Sequence, residues 1–241
     1  MNSQQNTLAA PARHPRPHLG AVATVFTILF LAGLYPVTIF GGQPYFPGPW
    51  ESGETIATFF RSRPTAALLC SSFHFGAAVA LGIFAATVVS QLRFLGARVA
   101  GTYIALFGGF ATAFNMGASA SILWVMARPG IAQDSTLMQA LYYLQYVFGG
   151  PGFSVPLGLL MAGVSIPSGF MKLLPKWLVV FGLLLAAFGE LSWLNMVFPK
   201  ALFLIPLTRF PGFVWLIATG FLLPKTIVTD RSNRHAQNTT A

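Results

Sequence analysis

Six long apolar stretches follow one another along this chain, with short polar connections between most of them. They cover residues 19–40, 65–92, 98–126, 135–166, 177–198 and 201–223. At a rise of about 1.5 Å per residue, a helix over each stretch would cross a hydrocarbon core of about 30 Å. The stretches do not alternate apolar and polar residues as the strands of membrane barrels do. The pattern therefore predicts an all-α fold, a bundle of about six transmembrane helices.

The longest connection, residues 41–64, has two parts. The first part is rich in Gly, Pro and aromatic residues, which predicts turns. The second part, residues 54–63, has a helical spacing of apolar residues on one face: Ile56, Phe59 and Phe60. Ser52 or Gly53 would cap this short helix. Because one of its faces is apolar, we expect the helix to lie on the membrane surface.

The composition supports a membrane protein. Only 8% of residues are charged and the mean hydropathy is +0.67, whereas soluble domains carry about 25% charged residues. The formal net charge is +9, but the basic residues are scattered between apolar stretches. This distribution favours contact with anionic lipid headgroups and argues against nucleic acid as a partner. We expect the lipid bilayer to be the main partner.

The distribution of basic residues predicts the orientation in the membrane. Nine lie in the segments on the side of the two termini: Arg13, Arg16, Arg93, Arg98, Lys172, Lys176, Lys225, Arg231 and Arg234. The opposite side has Arg61, Arg63, Arg128 and Lys200, with Arg209 close by. The positive-inside rule then places both termini in the cytoplasm. We expect a disordered tail over residues 1–18, a transmembrane domain over residues 19–224 and a cytoplasmic tail over residues 225–241.

Several polar residues interrupt the apolar stretches at similar depths and form a candidate intramembrane polar layer. They are His74, Asn115, Gln145, Glu190, Asn195 and Arg209. Glu190 and Arg209 lie on consecutive helices and carry opposite charges. One hypothesis is a polar cavity that opens outward, with this pair at its floor. The other is a structural ion pair, with the Asn and Gln side chains joining neighbouring helices.

Few cofactors are compatible with this residue content. His74 is the one histidine inside a predicted span, so two histidines from the spans of one chain cannot hold a haem. The single cysteine, Cys70, excludes a disulfide within the chain and a cysteine cluster. No HExxH motif, phosphate loop or dinucleotide fingerprint occurs. We therefore expect no cofactor and interpret His74 as structural, with a role as acid or base as the alternative.

The fourth apolar stretch contains the sequence Gly149-Gly150-Pro151-Gly152, followed by Pro156. These residues predict a kink or an interruption in the helix. Interrupted helices mark binding sites in many transporters, but plain kinks are also common, and we favour a kink. Three tyrosines and Gln145 precede the break: Tyr142, Tyr143 and Tyr146.

Residues 207–225, LTRFPGFVWLIATGFLLPK, are distinctive. They resemble the last helix of an uncharacterised family of bacterial multi-pass membrane proteins, known only as a domain of unknown function. The resemblance implies a six-helix bundle in the bacterial inner membrane and implies no reaction. Arg209 and Trp215 are the most informative residues of the stretch.

Three functional hypotheses follow. The first is a bacterial inner-membrane protein that binds or transports a small molecule or a lipid through the polar layer. The second is a structural or partner-binding membrane subunit without a ligand site. The third is a membrane enzyme that uses His74 as acid or base.

Overall fold

In the computed structural model, which describes residues 14–226, the chain is all-α. The α-helices are α1 (Leu19–Leu34), α2 (Gly53–Ser62), α3 (Pro64–Phe94), α4 (Ala100–Met126), α5 (Ser135–Gly149), α6 (Pro151–Phe170), α7 (Lys176–Leu191) and α8 (Leu204–Leu222). Short 3₁₀ turns extend α1 and α7 and lead into α8. Residues 1–13 and 227–241, which include Arg13, Arg231 and Arg234 of the predicted tails, lie outside the described residues.

Six segments are long and apolar enough to cross a membrane, and α5 and α6 together form one of them. They are Leu19–Val37, Pro64–Phe94, Ala100–Met126, Ser135–Phe170, Lys176–Met196 and Pro199–Leu222. Each overlaps one of the stretches predicted from hydropathy. The predicted all-α bundle with six candidate spans is confirmed, while its orientation in a membrane stays a prediction.

The spans alternate in direction, which gives the bundle two ends. On one end, which we call the terminal side, α1 begins and α8 ends, and His18 contacts Lys225 there. On the other end, the loop side, residues 38–63 lie between α1 and α3. The two helices come together again near the loop side, where His74 of α3 contacts Phe30 of α1.

Glycines allow the spans to pack closely. A Cβ added to Gly108 of α4 would lie 2.5 Å from the carbonyl oxygen of Pro156 on α6. A Cβ added to Gly220 of α8 would lie 2.6 Å from the backbone nitrogen of Gly20 on α1. These distances are too short for any side chain, so the backbones are in direct contact at both crossings. Contacts of this kind are typical of helix association in membranes.

Aromatic and other large apolar residues lie both in the core and on the outer surface. Trp215 of α8 is fully buried and its indole N–H donates to the carbonyl of Leu178 at 3.1 Å, which joins α8 to α7. Phe107, Phe114 and Val214 are more than 60% exposed on the outside of the spans. Large apolar side chains with this exposure fit a surface in contact with lipid.

The predicted short helix after the long loop is present as α2. Ser52 is its N-cap, and the Ser52 hydroxyl accepts a hydrogen bond from the amide of Thr55 at 3.2 Å. Its three predicted apolar residues are buried: Ile56, Phe59 and Phe60. They pack in a cluster that includes Met138 and Tyr142 of α5. The apolar face is therefore buried against α5, whereas the sequence suggested that this face would place the helix on the membrane surface. The helix covers part of the loop side of the bundle.

Candidate functional site

The fourth span is interrupted at one residue, Gly150, whose φ of −92° and ψ of −101° belong to neither α5 nor α6. The sequence favoured a kink, and the structure instead shows a break between two helices. Two prolines, Pro151 and Pro156, follow within six residues and have no N–H to donate. The break therefore leaves backbone carbonyls without their usual helical donors.

Asn115 of α4 donates a hydrogen bond to one of these carbonyls. Pro156 is four residues after Gly152 and supplies no N–H, so the Gly152 carbonyl lacks its intrahelical donor. The Asn115 Nδ2 donates to this carbonyl at 2.6 Å. An unpaired carbonyl would be costly in hydrocarbon. Asn115 is thus a structural residue that joins α4 to α6.

Arg209 of α8 donates a hydrogen bond to a second carbonyl, that of Gly149. The amide of Phe153 would normally donate to Gly149, but it donates to Gly150 at 3.2 Å. The Gly149 carbonyl is therefore free, and it accepts a hydrogen bond from Nη2 of Arg209. This contact holds the Arg209 guanidinium beside the break.

The rest of the Arg209 guanidinium is surrounded by aromatic rings. Its central carbon lies 4.8 Å from the ring centre of Phe153 and 5.5 Å from that of Phe30, distances typical of cation–π contacts. Its Nε is buried and has no hydrogen-bond partner within residues 14–226. In that part of the chain, the one ion pair joins Arg61 and Glu54. The positive charge of Arg209 thus has no carboxylate beside it.

Glu190 does not pair with Arg209, so that part of the sequence-based hypothesis is wrong. Glu190 of α7 lies against Gly158 of α6, where an added Cβ would be 3.1 Å from its Oε1. That oxygen is buried and has no hydrogen-bond partner within the described part of the chain. Sequence spacing gave the two residues a similar depth, but Arg209 is directed at the break and Glu190 at another part of α6.

His74 of α3 bridges to α1. Its Nε2 lies 3.2 Å from the carbonyl oxygen of Phe30, and its ring stacks on the Phe30 ring with centres 4.5 Å apart. Because a carbonyl only accepts, Nε2 carries the proton in this contact. The Nδ1 of the ring faces Cys70, with 3.7 Å between Nδ1 and Sγ.

Two adjoining cavities meet at Arg209. The first, which we call the helix cavity, has a volume of about 180 Å³. Its walls come from five spans and include Phe30, His74, Met116, Gln145, Phe153 and Arg209. The second, the loop cavity, has a volume of about 230 Å³ and reaches the loop. Its walls include Pro47, Tyr146 and Pro206.

Four residues line both cavities: Phe46, Gln145, Gly149 and Arg209. Ser119 holds Gln145 through two hydrogen bonds. The Ser119 hydroxyl donates to the backbone carbonyl of Gln145 at 3.1 Å and accepts from its side-chain Nε2 at 3.0 Å. Arg209 and Gln145 thus form the boundary between a cavity within the bundle and one that reaches the loop side.

Asn195 completes the set of predicted polar residues. It accepts a hydrogen bond from the Tyr146 hydroxyl and donates to the carbonyl of Ser192. Three of the six predicted residues line the helix cavity: His74, Gln145 and Arg209. Asn115 and Asn195 make structural contacts near the break, and Glu190 lies apart from it.

The sequence did not point to the aromatic walls. Phe30 and Phe153 are ordinary apolar residues of their spans, and their contact with Arg209 depends on how α1, α6 and α8 pack. Tyr146 was noted only as a residue before the break, whereas Gln145 was already part of the predicted polar layer. Within residues 14–226, no group of three or more His, Cys, Asp or Glu side chains is placed to hold a metal ion.

The fold and the hydropathy of its spans define a multi-pass α-helical membrane protein. No known protein family, no curated protein sequence and no solved structure matches the chain. The six-helix bundle implied by the resemblance of residues 207–225 is present, and the membership in a family that the resemblance suggested stays a prediction.

Proposed function

We propose that the protein binds a small molecule or a lipid that carries an anionic group, and that this group contacts Arg209 between the helix cavity and the loop cavity. One observation carries the proposal. Arg209 lines both cavities with a buried Nε that has no partner among residues 14–226, and no carboxylate of that part of the chain forms an ion pair with it.

The charge of Arg209 is the first support. A cation within the hydrocarbon region is costly and usually has a partner. The Gly149 carbonyl accepts from Nη2, whereas a guanidinium has five N–H donors. A carboxylate or a phosphate can accept two of these donors in a planar, bidentate arrangement. An anionic group would therefore supply both the missing charge and the missing acceptors.

The shape and lining of the cavities are the second support. The volumes of about 180 Å³ and 230 Å³ are each below the range of about 300–1,000 Å³ usual for drug-sized ligands. The walls of the helix cavity are mainly apolar, with Phe30, Phe46 and Phe153 among them. A short amphipathic anion, or the polar end of a lipid, fits such a site better than a large hydrophilic molecule.

The orientation is part of the same proposal. Between residues 14 and 226, the terminal side carries six basic residues: Arg16, Arg93, Arg98, Lys172, Lys176 and Lys225. The loop side carries Arg61, Arg63, Arg128 and Lys200, together with the acids Glu51, Glu54 and Asp134. This asymmetry supports a cytoplasmic terminal side, with tails over residues 1–18 and 225–241. The loop cavity would then open outward, and the resemblance suggests the bacterial inner membrane.

The test uses the purified chain in a neutral detergent and measures thermal unfolding through tryptophan fluorescence. The probes are hexanoate and hexyl phosphate, with hexanol as the uncharged control. At ten times its Kd, a ligand stabilises the folded state by about 1.4 kcal/mol. We expect both anions to raise the unfolding temperature by a few degrees and hexanol to raise it less.

The variants locate the effect. Arg209→Gln should abolish the response to the anions, and Arg209→Lys should keep part of it because the charge remains. Arg128→Gln is the matched control, since Arg128 lies on the loop side over the ring of Trp124, away from both cavities. An equal response of Arg209→Gln and the unchanged protein would contradict the proposal. If Arg209→Gln unfolds at a lower temperature and the unchanged protein does not respond to either anion, the result would favour a structural subunit.

A second candidate function, a membrane enzyme, is favoured by one contact. Cys70 and His74 both line the helix cavity, and Sγ lies 3.7 Å from Nδ1 while the Phe30 carbonyl orients the ring. In such an enzyme the sulfur would attack an acyl carbon and Nδ1 would take the thiol proton. Incubation with an octanoyl thioester should then add an octanoyl group to Cys70 and release the probe thiol. An unmodified Cys70 by mass spectrometry, or equal modification in His74→Gln, would exclude this role.

A further inference from the structure

We propose that the terminal side has a second anion site, which binds the phosphate group of an anionic phospholipid. The site is a pocket of about 440 Å³ between the segment that precedes α1 and the segment that follows α8. Pro17 and Thr226 line it together with four basic or imidazole side chains: His14, Arg16, His18 and Lys225. It lies at the opposite end of the bundle from Arg209, so it is independent of the proposed function.

The contact between His18 and Lys225 is the central observation. His18 caps α1, and its Nδ1 accepts a hydrogen bond from the amide of Ala21 at 3.2 Å. In a neutral ring the proton is then on Nε2, which lies 3.2 Å from Nζ of Lys225. An ammonium group only donates, so two donors face each other. An anionic oxygen beside them would accept from both groups and remove this mismatch.

Arg16 adds a third donor group to the same pocket. Its Nη2 is buried and has no hydrogen-bond partner within residues 14–226. Its Nη1 makes a long contact of 3.5 Å with the carbonyl of the neighbouring Pro17. The guanidinium therefore has donors to spare, and phosphate oxygens accept such donors in a bidentate manner.

The segment that carries these residues is anchored to the bundle. His14 stacks on Phe94 at the end of α3, with ring centres 5.0 Å apart and planes inclined by 14°. Its Nε2 lies 2.8 Å from the hydroxyl of Ser90. These two contacts hold Arg16 and His18 close to the ends of the spans, so the pocket is part of the folded bundle.

The local charge is not balanced by the part of the chain that the structure describes. The acidic residues between 14 and 226 are Glu51, Glu54 and Asp134 on the loop side and Glu190 in α7. Six basic residues lie on the terminal side. This side thus offers a strong positive field with no described carboxylate, which favours an anionic partner.

The position of the pocket identifies the anion as a lipid headgroup. The pocket lies where α1 begins and where α3 and α8 end, which is the level at which headgroups meet a transmembrane bundle. Phe221 of α8 contacts the His18 ring at 5.3 Å and is 54% exposed, so an apolar surface for the rest of the lipid adjoins the basic groups. Basic pockets at span ends are typical sites for anionic headgroups.

The test measures lipid binding to the full chain in a neutral detergent by native mass spectrometry. The probes are phosphatidylglycerol, phosphatidylcholine and inorganic phosphate. We expect bound phosphatidylglycerol at low micromolar lipid and weaker binding of phosphatidylcholine. The combined substitution Arg16→Gln with Lys225→Gln should weaken phosphatidylglycerol binding about tenfold or more, since each basic residue near a headgroup contributes to the attraction.

Two further variants keep the test decisive. Lys172→Gln with Lys176→Gln removes the same charge from the same side outside the pocket, and it should change binding little. Arg16→Lys with Lys225→Arg keeps the charge and should retain binding, which separates charge from misfolding. Equal losses in the pocket and control variants, or no loss in either, would overturn the proposal. Displacement of the lipid by millimolar inorganic phosphate would overturn the lipid assignment and identify free phosphate as the ligand.

Discussion

At the scale of single residues, Arg209 is the most unusual side chain in the bundle. It combines a hydrogen bond to the Gly149 carbonyl with contacts to two aromatic rings, and its Nε has no hydrogen-bond partner among residues 14–226. A helix break needs a donor for its free carbonyl, which an uncharged Asn or Gln can provide. A guanidinium at this point is costly unless something else uses its charge. This excess of donors and charge is the reason to assign Arg209 a binding role.

The separation of Glu190 and Arg209 leads to a prediction about charge exchange. Because the two side chains contact different parts of α6, exchanging their charges should restore no interaction. We expect Glu190→Arg combined with Arg209→Glu to be no more stable than the less stable single variant, measured by unfolding in a denaturing detergent. A double variant clearly more stable than both single variants would show that the two residues interact directly.

The depth of Glu190 and Arg209 could be predicted from the sequence, but the direction of their side chains could not. The depth of Glu190 and Arg209 follows from counting residues along each helix. The direction of each side chain depends on the rotation of the helix within the bundle, and hydropathy does not fix that rotation when a span is apolar on all sides. The contacts of Arg209 with Phe30 and Phe153 have the same origin, since three helices far apart in sequence bring them together.

At the scale of elements, the break between α5 and α6 organises the site. Gly150 interrupts the helix. Pro156 has no N–H for the Gly152 carbonyl, which accepts from Asn115 of α4 instead. The Phe153 amide donates to Gly150, which leaves the Gly149 carbonyl to Arg209 of α8. The sequence indicated a disturbance at this point because Gly and Pro act locally. It could not indicate the partners, Asn115 and Arg209, because they come from other helices. The N-cap and the apolar face of α2 were predictable for the opposite reason, as both depend on residues within one short segment. The partner of that face was not, since it is the distant helix α5.

The role of Asn115 can be tested by a double-mutant cycle. Asn115→Leu leaves the Gly152 carbonyl without a donor and should destabilise the fold by about 1 kcal/mol, as for other polar contacts between helices in membranes. Pro156→Ala restores the N–H that normally pairs with Gly152. In that background Asn115→Leu should cost clearly less, measured by unfolding in mixed micelles. An equal cost in both backgrounds would show that the carbonyl is not what Asn115 stabilises.

At the scale of the whole molecule, the chain has two chemically different ends. The loop side is covered by α2 and the long loop and contains the cavities at Arg209. The terminal side has six described basic residues and the pocket around His18 and Lys225. The six spans were predictable because hydrophobic length is a property of the chain itself. The cavities at Arg209 and the pocket at His18 and Lys225 were not, since each is formed by segments that meet only in the folded bundle.

The asymmetry of charge predicts the topology. A reporter fused after Arg128 should be found on the outer side of the membrane, and one fused at the C-terminus should be cytoplasmic. The positive-inside rule is the physical basis, because the terminal side carries the excess of Lys and Arg. Alkaline phosphatase and green fluorescent protein fusions measure the two positions. Reporters found on the same side would contradict the three crossings that separate Arg128 from the C-terminus.

The most direct test of the central claim is the reactivity of a cysteine placed at Gln145, which lines both cavities. In a Cys70→Ala background, Gln145→Cys is treated from the loop side with a membrane-impermeant methanethiosulfonate. Gln133→Cys, in an exposed turn, is the accessible control, and Val164→Cys, which is fully buried, is the inaccessible one.

We predict that the cysteine at position 145 reacts, that hexanoate slows its reaction, and that this protection disappears when Arg209→Gln is added. A cysteine at 145 as unreactive as the one at 164, or a reaction rate that hexanoate leaves unchanged, would contradict an anion site at Arg209 that is reached from the loop side.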